Sequence, residues 1–257
     1  MDTIKELIRN NIVAFGILIS VAWVASSFVL AGGLAAINKK TAISVTGTAE
    51  RMVESDAGKW TFMITKQASP ANYASVSKEL RDGSDKTVAH LKERGIDEKS
   101  ITVQPIVSNV VCQSQQQVMY DSTGHQQCSG PFAYSLVQTL IAESADVNLL
   151  RDLSLNAAGV LADRSVQLQT VSVDFFYTKL AEIRADMLAE ASKNAKERAE
   201  AIAKSTGNSI GSVKDASQGV FQVTQRNSTD VSDYGSYDTS TIDKKITAIV
   251  RASFEVR

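Results

Sequence analysis

Prolines number three, histidines two and cysteines two in a chain of 257 residues. So little proline leaves no Pro-rich linker, and a hydrophobic fraction of 44% excludes wholesale disorder. Neither sign of charge dominates, with 27 Lys plus Arg against 28 Asp plus Glu. No basic stripe interleaved with aromatics is seen either, so nucleic acid is not an expected partner. The sequence reads as carrying no nucleophile elbow, phosphate-binding Gly-rich loop, zinc-protease helix or dinucleotide fingerprint. Catalysis by imidazole would rest on His90 or His125. His90 falls in a helical segment beside Ala89 and Leu91 and reads as structural. His125 has no metal-ligating company beyond Asp121 and the cysteines. No catalytic residue, metal or cofactor is expected.

Charge is also absent between Arg9 and Lys39. Ile12 to Ile37 reads IVAFGILISVAWVASSFVLAGGLAAI, longer than the roughly 20 apolar residues that span a bilayer. The expectation is a transmembrane signal-anchor helix over residues 12–37, preceded by a short cytoplasmic tail over 1–11 and followed by one folded domain over 41–257. The lipid bilayer is then an expected partner. A cleaved signal peptide is the alternative, since Lys5 and Arg9 are basic and the small residues from Ala31 to Ala36 could host a cleavage site. The apolar run, however, outlasts the roughly 7–15 residues of an ordinary signal core. Lys39 and Lys40 balance Lys5 and Arg9, so flanking charge barely sets the orientation.

Cys112 and Cys128 bracket the polar stretch QSQQQVMYDSTGHQQ. Two free thiols are one reading, but a hydrophilic segment is a poor place for buried inert cysteines. The expected state is a disulfide closing a loop of about 15 residues, worth about 3 kcal/mol in the chain-entropy model. Such a bond persists in an oxidising compartment and places the domain outside the cytoplasm.

The rest of the chain reads as α+β with a mostly antiparallel sheet and two to three helices. ISVTGTAERMVE, the turn Ser55–Gly58 and KWTFMITKQ predict a β-hairpin. Ser69 as N-cap and Pro70 as first residue open a helix that runs to Gly95. Strands follow at 101–111, with Pro105 marking an edge or bulge, and at PFAYSLVQTLIAES. A second helix is predicted over 146–158, then the strand SVQLQTVSVDFFYT. Lys179 to Thr206 is the clearest helix, closed by Gly207 at C′. Its expected anchors are Leu180, Ile183, Met187 and Ile202. Its alanines 181, 185, 195, 199 and 203 leave room for close approach, and Glu200 to Lys204 has the favourable i,i+4 order. SIGSVKDASQGVFQVTQ reads as a strand broken by Gly219, RNSTDVSDYGSYDTSTID as a polar loop with few groups to bury, and KKITAIVRASFEVR as a half-buried terminal strand.

ISVTGTAE, AKERAEAIAKSTGNSIGSV, VFQVT and KKITAIVRASFEV, in that order from Ile43 to Val256, resemble the SIMPL-domain family of bacterial periplasmic and membrane-associated proteins. The resemblance implies an extracytoplasmic α+β domain, self-association in some members, loose links to envelope or oxidative stress, and no established catalytic residues. It carries over neither the anchor nor the Cys112/Cys128 loop. The expected protein is therefore a non-enzymatic, single-pass protein of the bacterial inner membrane, with the bulk of the chain in the periplasm, acting as a homo-oligomer or by binding a partner. The strand from Lys244 to Arg257 and the one containing Pro105 are its candidate pairing edges. Soluble periplasmic protein, pore- or compartment-forming ring, and enzyme with a site built from the Tyr234–Tyr237 loop and helix carboxylates are the alternatives.

Overall fold

A computed structural model describes residues 42–114, 118–124, 126–159, 167–230, 232 and 234–257, together with Trp23 and Ser26. The expected membrane span over 12–37 lies outside the described residues but for those two. Among the described residues no helix is long and apolar enough to cross a membrane. The strands are β1 Ala42–Glu54, β2 Ala57–Ala68, β3 Ile101–Val103, β4 Val107–Cys112, β5 Val118–Tyr120, β6 Gln126–Cys128, β7 Phe132–Ser144, β8 Gln167–Phe176, β9 Ile210–Gln218, β10 Gln222–Gln225 and β11 Asp243–Val256. The helices are α1 Tyr73–Glu93, α2 Val147–Asn156 and α3 Leu180–Ser205. The α+β class with a mostly antiparallel sheet is as expected.

The chain divides into two compact units. The larger comprises Glu50–Met187 and Val220–Ala248. Its sheet has the order β3-β7-β2-β8, with β4 also on β7. Strict alternation sends Trp60, Phe62 and Ile64 of β2 and Leu136, Leu140 and Ala142 of β7 to one face. Leu80 and Leu91 of α1 and Leu150 and Leu153 of α2 complete that core. The Trp60 ring stacks on Phe62 at 4.1 Å, and its Nε1 donates to Thr170 Oγ1 at 3.2 Å, so the one polar atom of the indole is satisfied.

Two local expectations are corrected here. β1 and β2 do not form a hairpin: β1 pairs with β11, whereas β2 pairs with β7 and β8. The linking residues are drawn apart, as Ser55 N–H donates to the Ile242 carbonyl and Asp56 N–H to that of Phe176, both at 2.9 Å. The first helix starts at Tyr73 rather than at Pro70, because Asn72 accepts from Ser69 N–H at 2.7 Å and from Ser69 Oγ at 2.9 Å, closing a turn ahead of the helix. Its far end is as read. Gly95 has φ +100°, with Gly95 N–H bonded to the Lys92 carbonyl and Ile96 N–H to that of Leu91, both at 3.0 Å. That is a Schellman cap, and its apolar partners Ile96 and Leu91 are both buried.

The smaller unit comprises residues 42–49 of the described chain, Leu188–Gly219 and Ile249–Arg257. Here α3 presents Ala191, Ala195, Ala199 and Ala203, each fully buried. Ala195 and Ala199 pack with Ala252 and Phe254 of β11 and with Ile43, Val45 and Ile210. Thr48 N–H donates to Asn194 Oδ1 at 3.1 Å, and Arg198 Nη1 to the Thr46 carbonyl at 2.9 Å. Ile202, expected as an anchor, is 45% exposed because it stands one helical step off the alanine stripe. Ala181 and Ala185, in the part of α3 that belongs to the larger unit, are likewise exposed. Glu200 pairs with Lys196 at 3.7 Å instead of with Lys204. Gly207, at φ +77°, ends α3 with a second Schellman cap, its N–H on the Lys204 carbonyl and that of Asn208 on Ala203.

β11 is not an edge, contrary to expectation. In sheet order it lies between β1 on one side and β10 and β9 on the other. β10 and β9 follow one another along the same side, opposite Lys244–Thr247 and Val250–Val256 respectively. Gly219 makes the break between them, and its N–H donates to the Ile249 carbonyl at 2.8 Å.

Candidate interaction surface

The strand expected over 101–111 is two, β3 and β4, both on the edge side of β7 as expected, and Pro105 lies in the bulge between them. Val103 opposes Leu140 while Val107 opposes Val137, so Gln104, Pro105 and Ile106 on the edge side stand against only Gln138 and Thr139 on β7. Gln104 fills the gap by donating its N–H to the Thr139 carbonyl at 2.9 Å and accepting at its own carbonyl from Gln138 Nε2 at 3.1 Å. Beyond the bulge, β4 pairs with β7 on one side, and no strand is hydrogen-bonded to its other side among the described residues. Val107 is 56% exposed, Val110 36% and Val111 37%, and β4 carries no charge. A row of open backbone donors and acceptors flanked by exposed valines is what a partner strand recognises.

At its far end β4 is tied down. Cys112 and Cys128 form the expected disulfide, with Cα atoms 5.5 Å apart. The β5–β6 hairpin between them turns on Asp121, whose Oδ1 accepts from Thr123 N–H at 2.9 Å, and on Gly124 at φ +83°. Met119 and Tyr120 of that hairpin are 54% and 70% exposed. His125 lies outside the described residues. Beside β4, Tyr134 meets Tyr73 edge-on at 5.1 Å and Phe132 at 5.5 Å, which gives this end of the sheet a rigid aromatic footing.

The polar stretch before β11, expected to have few groups to bury, is instead organised around a buried ion pair. Lys244 is fully buried, and its Nζ donates to the Asp238 carbonyl at 2.6 Å and to Asp238 Oδ2 at 3.1 Å. Asp238 also accepts from Ser240 Oγ at 2.7 Å, from Thr241 Oγ1, and from the N–H groups of Ser240 at 3.1 Å and Thr241 at 3.2 Å. Burial alone would raise its pKa. The hydrogen bonds from Thr241, Ser240 and Lys244 override that and hold the carboxyl well below the usual carboxylate range. The same stretch screens β10: Tyr237 bridges to Val223, Gln222 Nε2 donates to the Ser232 carbonyl at 2.5 Å, and Lys245 Nζ to that of Ser228 at 2.6 Å. The stretch that read as a polar loop is a strap, centred on the Asp238 carboxylate and tied further by the Ser228 and Ser232 carbonyls.

The candidate chemistry does not converge. His90 lines a cavity of about 70 Å³ with Trp60, Thr87, Arg94 and Asn156, room for about two waters. A wider cleft of about 460 Å³ holds Arg151 and Arg226, but each already has a carboxylate, Asp152 at 3.3 Å and Asp243 at 3.7 Å. Tyr237 donates its hydroxyl to the Tyr177 carbonyl at 3.1 Å, while Tyr234 is 98% exposed. Gly207–Asn208–Ser209–Ile210–Gly211 does spell G-x-S-x-G, which the sequence reading missed. It joins a helix to a strand, the reverse of a nucleophile elbow, and Ser209 N–H is spent on the Arg257 carbonyl at 2.8 Å. Among the described residues no group of three or more His, Cys, Asp or Glu could hold a metal ion.

Residues 43–254 match the sequence model of one family, described as SIMPL, protein of unknown function (DUF541). No curated protein matches the chain.

Proposed function

The chain belongs to the SIMPL family, and on that premise we propose that it is a non-enzymatic, membrane-anchored envelope protein that works through contact with other chains, its own copies first. The observation that carries this reading is the β4 edge, with Val107, Val110 and Val111 exposed and no strand hydrogen-bonded to its outer side among the described residues. Edges of this kind are normally covered, charged or paired. The disulfide favours an oxidising compartment, and the apolar run over 12–37 supplies the anchor and a common membrane for the copies.

Light scattering on the full-length protein in detergent, at micromolar concentration, tests the assembly. More than one copy per particle supports it. A monomer across that range overturns self-association and leaves binding to a different partner as the role.

A further inference from the structure

We propose that the cavity under the C-terminal turn of α1 is a binding site for a short-chain carboxylate, its apolar tail between Trp60, Leu153 and Leu168 and its anionic head at Arg94 and His90. The site belongs wholly to the larger unit, and it does not depend on assembly.

Thr87, His90, Leu91 and Arg94 recur at spacings of three and four, so α1 and the residue that caps it turn one stripe toward the cavity. The stripe changes character along its length: Leu91 is buried, His90 half-buried and Arg94 exposed. Facing it, Trp60 of β2, Leu153 of α2 and Ala157 are buried, whereas Asn156 is exposed. The cavity therefore has an apolar floor and a polar rim. That division suits a ligand held by its tail and oriented by its head.

The polar atoms on the floor are already spent. Trp60 Nε1 donates to Thr170 Oγ1 at 3.2 Å and Thr87 Oγ1 to the Gly83 carbonyl at 2.9 Å. The rim is the reverse. Lys92 is paired with Glu98 at 2.7 Å, but the side chains of His90 and Arg94 have no hydrogen-bond or ion-pair partner among the described residues. A cation in the last turn of a helix suits its dipole, which accounts for the charge and not for the apolar floor beneath it. An unspent guanidinium fork matches a carboxylate with two parallel hydrogen bonds. The imidazole N–H is a further donor, as is the second amide hydrogen of Asn156, whose first is on the Asp152 carbonyl at 2.8 Å. Size limits the tail: about 70 Å³ is the room of about two waters, and so of about two or three carbons.

Trp60 reports on the site directly, because the chain has two tryptophans and Trp23→Phe leaves Trp60 as the only one. In the full-length Trp23→Phe protein in detergent, at constant ionic strength, sodium butyrate shifts Trp60 emission to the blue as its tail displaces water beside the indole. The shift saturates, with its midpoint on the order of 1 mM for so small a ligand. n-Butylamine, with a like tail and the opposite charge, and formate, a head without a tail, each need about tenfold more or give no shift. Arg94→Gln weakens butyrate by about tenfold or more, and Arg94→Lys by less, since the charge stays and the fork goes. Ala157→Leu fills the cavity and abolishes the butyrate shift. Arg94 is exposed, so circular dichroism melts of its variants match the parent and separate loss of binding from loss of fold. The absence of a saturable butyrate shift overturns the proposal and leaves the cavity to water. A shift that n-butylamine reproduces, or that Arg94→Gln leaves unchanged, overturns it equally.

Discussion

Gly47 and Ala191 approach so closely that a Cβ built on the glycine would lie 2.1 Å from the Ala191 carbonyl oxygen and 2.6 Å from the Ala195 Cβ. Backbone atoms cannot rotate away, so β1 and α3 must part if the position gains a side chain. Gly47→Ala is expected to cost about 3 kcal/mol and to lower Tm by roughly 6–12 °C. Gly159→Ala, where an added Cβ meets nothing within 4 Å, is the matched control. Thermal melts followed by circular dichroism compare them, and equal melting points would show that the contact is looser than described.

Lys244 has no water to fall back on. Lys244→Met strands Asp238 beside a fully buried apolar chain and is expected to cost about 3–5 kcal/mol. Pairing it with Asp238→Asn removes the uncompensated charge and recovers part of the loss, a coupling that a double-mutant cycle in urea measures. Strict additivity would mean that the ion pair contributes nothing beyond its separate contacts.

The pH dependence of the same pair follows from its sign. Asp238 titrates below its unfolded value of about 3.9. Its contribution is therefore full above that value and is lost as pH falls through it toward the folded pKa. Between pH 7 and pH 5 Asp238→Asn should leave the slope of stability against pH unchanged. Below about pH 4 the parent should lose stability more steeply than the variant, as read from urea midpoints at each pH.

The disulfide spans 16 residues and should hold about 3 kcal/mol by chain entropy. Reduction, or Cys112→Ser with Cys128→Ser, is expected to speed amide exchange in 118–128 and at the end of β4. Protection in β2 and β7, deep in the core, should persist under native conditions. Non-reducing peptide mapping should recover Cys112 and Cys128 on one linked species, and free alkylation of both would remove the premise.

Gly207 at φ +77° adopts a backbone that costs an L-residue about 1–2 kcal/mol. Gly207→Ala should lower the urea midpoint accordingly, and Gly207→Asn by less, since asparagine tolerates that region better. Equal losses would point to packing rather than to backbone conformation.

Local chemistry was legible because it is decided within a few residues. The glycines at 95 and 207 end their helices where read, Gly219 breaks its strand, the alternation of β11 buries Ile246, Ala248, Val250, Ala252 and Phe254, and the two cysteines bond. Ser69–Pro70 misled for the same local reason: the motif fits a helix start, but the Asn72 side chain competes for the Ser69 N–H and delays it.

Pairing across the chain was beyond any such pattern. β1 and β2 are neighbours in sequence and alternate like a hairpin, yet β1 finds its partner in β11, roughly two hundred residues away. The terminal strand β11 reads as an edge and lies between neighbours. Lys244 is fully buried because its partner Asp238 is brought to it by the strap before β11. Side-chain period and turn chemistry are local properties of the chain. Which strand lies beside which, and which charge loses its water, depends on the free energy of the whole packed arrangement, and only the tertiary structure decides it.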